Sequence, residues 1–190
     1  MELTITIVIL GIIGTLTGVI LVYVVQNYYY IPSKLTTDSI SSDIARIVIE
    51  GDDKAKGLRY AKQIPLWGLP TGIYLGFYNS DNDYVQFIVY DGKLYRKINT
   101  GDWEVIPYYL SDEYGFMGDI ITIKILWFEF EFEKFFWYYG SDGKHLYLPV
   151  AHPQDIEYIE IRGNVKQGSG EFSNWEGESE IISGVSINQD

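Results

Sequence analysis

The chain has 190 residues, a formal net charge of −12 and no cysteine. That balance excludes nucleic acid as a partner, because phosphate binding needs clustered Lys and Arg and no basic stripe is present. Without cysteine there is no disulfide, thiolate metal site or Cys nucleophile. With 17 Tyr, 9 Phe and 5 Trp, the chain carries ample apolar surface for a folded domain.

The first predicted element is a hydrophobic helix. Leu3 to Val25 are 23 residues without a charge, enough to span a hydrocarbon layer of about 30 Å. Tyr28, Tyr29 and Tyr30 follow at the apolar-to-polar boundary, where amphipathic rings settle. Pro32 is expected to end or turn the helix. The run is longer than a secretory h-region and is followed by no small-x-small cleavage site, so a retained helix is expected. Residues 1–32 therefore read as a transmembrane or assembly helix and 33–190 as one further domain. Gly11, Gly14, Thr15 and Gly18 recur at spacings of three and four and share one face. Gly14 to Gly18 is a GxxxG pattern, which lets helix backbones approach closely in an apolar medium. Self-association through this face is expected.

The opening Met1-Glu2-Leu3-Thr4-Ile5-Thr6-Ile7-Val8-Ile9-Leu10-Gly11-Ile12-Ile13-Gly14 resembles the N-terminus of a mature type IV pilin. Gln26-Asn27-Tyr28 is similar to the point where many pilin helices leave the apolar zone. The resemblance covers about 30 residues. Ile5 stands where bacterial pilins place an acidic residue, a departure shared with archaeal-type pilins. The resemblance implies a filament subunit with helices bundled in the core and β-rich heads outside.

Beyond Ser33 the pattern is β: alternation, β-branched and aromatic enrichment, and frequent turn residues. Strands are predicted at Ile44–Glu50, Gly72–Tyr78, Tyr84–Tyr90, Lys93–Ile98, Trp103–Pro107, Ile120–Tyr139, Leu146–Val150, Ile156–Arg162 and Ile181–Ile187. Asp91-Gly92 is a two-residue hairpin signal. Asn79-Ser-Asp-Asn82 and Ser141-Asp142-Gly143 mark two more turns. Asp53–Gln63 is the one stretch with helical character. Within Ile120–Tyr139 the apolar parity switches near Trp127–Phe128, as at a β-bulge or a crossing between sheets. Gly163–Glu180 reads as a long loop. The expected fold is mainly β, an antiparallel sandwich or barrel-like domain behind the helix.

The chemistry-bearing residues form no constellation. His145 and His152 fall in turns and lack a third ligand. Glu129, Glu131 and Glu133 lie along one strand face, whereas glycosidase carboxylates face each other across a cleft. Asp81-Asn82-Asp83 reads as turn chemistry rather than a Ca²⁺ loop. Gly168-Ser-Gly170 is not a nucleophile elbow. No catalytic residue, cofactor or metal site is expected. The aromatics, Trp67, Tyr74, Tyr78, Tyr108, Tyr109, Tyr114, Trp137, Tyr138, Tyr139 and Trp175, suit a core or a surface that meets other protein subunits. The expected function is structural: a pilin-like subunit at the membrane or cell surface. The alternative is a single-pass membrane-anchored β-domain that binds a protein partner in an envelope, a membrane complex or a virion.

Overall fold

One helix, α1 (Glu2–Ile49), runs for 48 residues, about 70 Å at the usual rise. The computed structural model describes residues 2–106, 120–124, 126–127, 133–168, 177–187 and 189. Side chains are described for 5–24, 34–106, 134–166, 178–187 and 189. The helix does not stop at Pro32, and Ile44–Glu50 is its last turns rather than a strand. The physical reason lies on its second half. Thr37, Ile40, Ser41, Ile44, Ile47 and Val48 are all buried, at spacings of three and four. Burying each of the four aliphatic side chains contributes about 1.5–3 kcal/mol. Together these exceed the roughly 3 kcal/mol that a proline costs inside a helix.

The first half is helical for a different reason. Fifteen of the 23 residues from Leu3 to Val25 are Ile, Val or Thr, which favour strands in water. In an apolar medium a lone segment satisfies its backbone only by closing i to i−4 bonds on itself.

The helix ends where the chain turns left-handed. Gly51 has φ +95°, and the amides of Glu50 and Gly51 both donate to the Arg46 carbonyl, at 2.7 and 3.2 Å. A Cβ on Gly51 would lie 2.3 Å from the Ala55 carbonyl oxygen, so only glycine fits this cap.

The remainder is mainly β. A five-stranded antiparallel sheet follows in chain order: β1 (Ala61–Gln63), β2 (Tyr74–Asn79), β3 (Tyr84–Tyr90), β4 (Lys93–Ile98) and β5 (Glu104–Ile106). Asp91 and Gly92 both take positive φ, 48° and 66°, as the primed turn between β3 and β4 requires. The second sheet is built on β10 (Tyr158–Gly168). β11 (Gly177–Ser186) pairs with one edge of β10 over ten residues. The other edge takes two strands end to end: β6 (Ile120–Lys124) against Asn164–Gly168, and β9 (Phe136–Tyr139) against Tyr158–Ile161. Between them the chain leaves the edge for a two-stranded ribbon of β7 (Leu126–Trp127) and β8 (Glu133–Lys134). The predicted single strand Ile120–Tyr139 is thus one path along β10 with an excursion in it. The parity switch itself, at Phe128, Phe130 and Phe132, lies outside the described residues.

Three further expectations are corrected. Gly163–Glu180 is not one loop, because β10 runs on to Gly168 and β11 begins at Gly177. Their polar residues alternate with buried Val165 and Ser179, so composition concealed the strands. Leu146–Val150 is not a strand. The one bridge nearby, between Tyr139 and His145, falls just before it, and its Leu148-Pro149 peptide is cis. Asp53–Gln63 holds a single 3-10 turn at Leu58–Tyr60 and then β1.

Both sheets and the second half of α1 enclose one core. The helix contributes Ile40, Ile44, Ile47 and Val48; the first sheet Leu75, Phe77, Val85, Phe87 and Leu94; the second Phe136, Tyr138, Ile159, Ile161 and Val185. Backbone bonds tie the sheets together where Phe136 donates to Gly72 (2.9 Å) and Val150 to Pro70 (3.0 Å). The buried Tyr138 hydroxyl donates to the Thr71 carbonyl at 2.9 Å, so burial pushes its titration up without leaving it unpaired.

Candidate functional site

The helix divides into two surfaces. From Ile5 to Val24 its mean hydropathy is 2.7 and none of it is buried in the molecule. This stretch is long and apolar enough to cross a membrane. At about 100° per residue, the helical backbone brings Gly11, Gly14, Thr15 and Gly18 to one side. A Cβ added at Gly11, Gly14 or Gly18 would meet nothing within 4 Å. These glycines leave a shallow groove that none of the described residues fills. Each one costs about 1 kcal/mol of helix propensity relative to Ala. Thr15 and Thr17 turn their hydroxyls back onto the helix, donating to the carbonyls of Gly11 and Ile13, both at 2.8 Å. Their polar atoms are thereby satisfied without water, which suits an apolar surrounding. The side chains of Tyr28, Tyr29 and Tyr30 lie outside the described residues.

The helix enters the head through a polar collar. Lys34 forms an ion pair with Asp38 at 3.0 Å and also donates to the Glu178 carbonyl on β11. The Asp38 carboxyl is held below the usual carboxylate range, first by the Ser179 hydroxyl and then by Lys34. Thr37 donates to the Lys34 carbonyl at 2.9 Å. Buried Ser41 donates to the Thr37 carbonyl at 2.8 Å and reaches the Ser179 carbonyl at 3.4 Å. Small hydroxyl residues bring helix and sheet together here while leaving no polar group stranded.

At its far end the helix is held by a charged network that sequence reading missed. Arg96 on β4 is only 2 % exposed and faces the core between Leu94 and Ile98. Its guanidinium donates through Nε and Nη2 to one Glu104 oxygen, at 3.0 and 2.6 Å, and through Nη1 to Asp52 at 2.9 Å. Asp52 also accepts from the amides of Lys54 and Ala55, fixing the turn that follows α1. Burial alone would raise both carboxyls, but Arg96 leaves Asp52 below its ordinary value, and Lys54 with Arg96 does the same for Glu104. The readable sign was an arginine at inward parity in β4, since a buried guanidinium needs carboxylates close by.

Of the candidate chemical residues, His145 lies between the rings of Trp137 and Tyr139, with centroids 4.7 and 4.5 Å away. Burial, then Lys134 and Arg162, depress its pKa, against a smaller opposing pull from Glu160. His152 precedes the 3-10 turn Pro153–Asp155. Asp81 pairs with Lys56 at 2.7 Å and Asp83 accepts from Asn99 at 2.8 Å, while the side-chain Oδ1 of buried Asn79 accepts the amides of Asp81 and Asp83. Those carboxylates already serve as turn partners. Among the described residues no three His, Asp or Glu side chains converge on a metal position. Glu129, Glu131, Tyr108, Tyr109, Tyr114 and Trp175 lie outside the described residues, as does the side chain of Glu133. A cleft of about 690 Å³ opens at the end of the head remote from Lys34, between the Gly140–Gly143 turn, Tyr158 and Ile187. Its Gln189 is committed to the carbonyls of Pro153 and Ile156 and to the Ile64 amide.

No protein-family model, no curated protein and no solved structure matches this chain.

Proposed function

We propose that the protein is a structural, self-assembling subunit of the pilin-like kind. Its apolar helix halves bundle with those of other copies, and its β-rich heads lie outside the bundle. The observation that carries this reading is the division of one continuous helix. The second half is built into the head, while the first presents a long apolar surface with a Gly11/Gly14/Gly18 groove that none of the described residues fills. A simple membrane anchor needs only length and hydropathy and does not require three small residues on one face. A helix that must approach another backbone closely gains from them. The satisfied Thr15 and Thr17 hydroxyls further suit a dry helix bundle.

The test is electron microscopy of native material together with a Gly14→Ile/Gly18→Ile variant of the full chain. The expected result is filaments from the parent chain and none from the variant, with head stability unchanged. Discrete detergent-dependent particles from both would overturn the reading in favour of a single-pass, membrane-anchored binding domain.

A further inference from the structure

We propose that the cleft at the far end of the head is a binding site for a neutral saccharide, which stacks one ring on Tyr158 and hydrogen-bonds to the polar rim. A glycine makes the platform. Tyr158 extends across β11, and a Cβ on Gly184 would lie 2.1 Å from its hydroxyl. Glycine inside a strand marks such a close approach. The first sheet holds the same arrangement, since a Cβ on Gly76 would lie 2.4 Å from the Tyr84 hydroxyl. There the rings of Trp67 and Tyr78, at 4.8 and 5.0 Å, cover Tyr84 and leave it 8 % exposed. Tyr158 has no such cover. Its one ring contact among the described residues is Tyr139, 5.7 Å away and inclined at 61°. Tyr158 stays 37 % exposed and lines the cleft. Tyr139 is fixed in turn, because its hydroxyl donates to Glu160 at 2.8 Å, and Glu160 also accepts from Arg162 at 2.8 Å. A pinned ring with one open side provides stacking surface at little ordering cost.

The rim selects the ligand. Ser141, Gln154, Glu157 and Ser186 line the cleft and are exposed, and their side chains make no hydrogen bond or ion pair with any described residue. No Lys or Arg lines it among the described residues. Hydroxyls, an amide and one carboxylate around an aromatic ring match a sugar. Its C–H face rests on the ring, and its hydroxyls donate to the carboxylate and exchange bonds with the amide and serines. A nucleotide or an anionic glycan would bring negative charge to Glu157 with no lining cation to meet it. A quaternary ammonium needs several ring faces around it, and two rings set edge to face present one. The volume, about 690 Å³, lies within the range of about 300–1,000 Å³ that small-molecule sites occupy. Position leaves the cleft free of a bilayer. It takes in Ser186, whereas the spanning helix leaves the head beside Glu178, about 27 Å away along β11.

The site stands whether or not copies assemble, and its test uses the full-length chain in detergent. The labelled protein is applied to an array of immobilised neutral, sialylated and sulfated glycans. Retention on neutral glycans is expected, with Tyr158→Ala and Glu157→Ala each reducing it roughly ten-fold. Tyr158→Phe should preserve retention, because the ring face and not the hydroxyl carries the stacking. Tyr90→Ala, which removes an exposed ring on the β3–β4 hairpin outside the cleft, should change nothing. Glu157→Ala carries the test by itself should Tyr158→Ala alter the near-ultraviolet circular dichroism of the head. No retention on neutral glycans, a preference for the sialylated or sulfated ones, or retention that survives both alanine substitutions overturns the proposal.

Discussion

The two halves of α1 are the same helix in two different environments. Both are rich in β-branched residues, yet they are helical for opposite reasons. The first half is apolar all round and leaves Ile5–Val24 wholly outside the head. The second carries a narrow stripe, Ile40, Ile44, Ile47 and Val48, with mostly polar residues on the rest of its surface, and places that stripe in the core. An element that is apolar on every side asks for an apolar surrounding; one with a single apolar face asks for a folded partner. The difference separates two properties that are easily confused. Stability of the head should depend on 34–49, and association on 2–33.

Substitutions can break that separation. The largest effect is expected from Ile44→Asp, which puts a carboxylate where no water reaches. The head should fail to fold, as read by loss of near-ultraviolet circular dichroism in the full chain. Next is Arg96→Ala, which abandons Asp52 and Glu104 at the turn anchoring the end of α1. Both carboxylates retain some solvent, so the cost should fall near the lower end for a broken buried pair, about 3 kcal/mol in chemical denaturation. Gly76→Val should cost about 2 kcal/mol, because a Cβ there would lie 2.4 Å from the Tyr84 hydroxyl that crosses over Gly76.

A pH series sharpens the same point. Asp52 and Glu104 titrate lower in the folded state than their ordinary values. Their contribution is therefore complete above the ordinary carboxylate range and is lost as pH falls through the depressed values. The melting temperature should drop through that window, and Arg96→Ala should flatten the drop. The smallest effect is expected from Leu16→Ala, which should leave head stability within about 0.5 kcal/mol. A measurable loss there would show that the protruding half does support the head.

Legibility followed the same division. The apolar run, its glycine face, and β3 and β4 with the Asp91-Gly92 turn were readable, because each is a local signal that tertiary structure does not override. Ile44–Glu50 was misread because Ile-Ala-Arg-Ile-Val-Ile has β composition, and the proline before it suggested a boundary. The helical signal was still present in the spacing of Thr37, Ile40, Ser41, Ile44, Ile47 and Val48, but it competed with propensity and lost. The polar ends of β10 and β11 were hidden because pairing over ten residues, not composition, makes them strands. The Arg96 network depends on residues 44 and 8 positions apart, a distance over which no short motif reaches.

The collar of Lys34, Asp38, Ser41, Glu178 and Ser179 has a mechanical consequence. It sits where the helix leaves the head, and beyond it α1 packs against β11, with Ser41 beside Ser179. A pull on the protruding half is carried into the head by one continuous helix. The load falls on the collar bonds and the Ile40–Val48 stripe together, as shear across the whole seam. It does not peel the seam open one contact at a time, so the head is attached to its helix as a lap joint and not as a hinge.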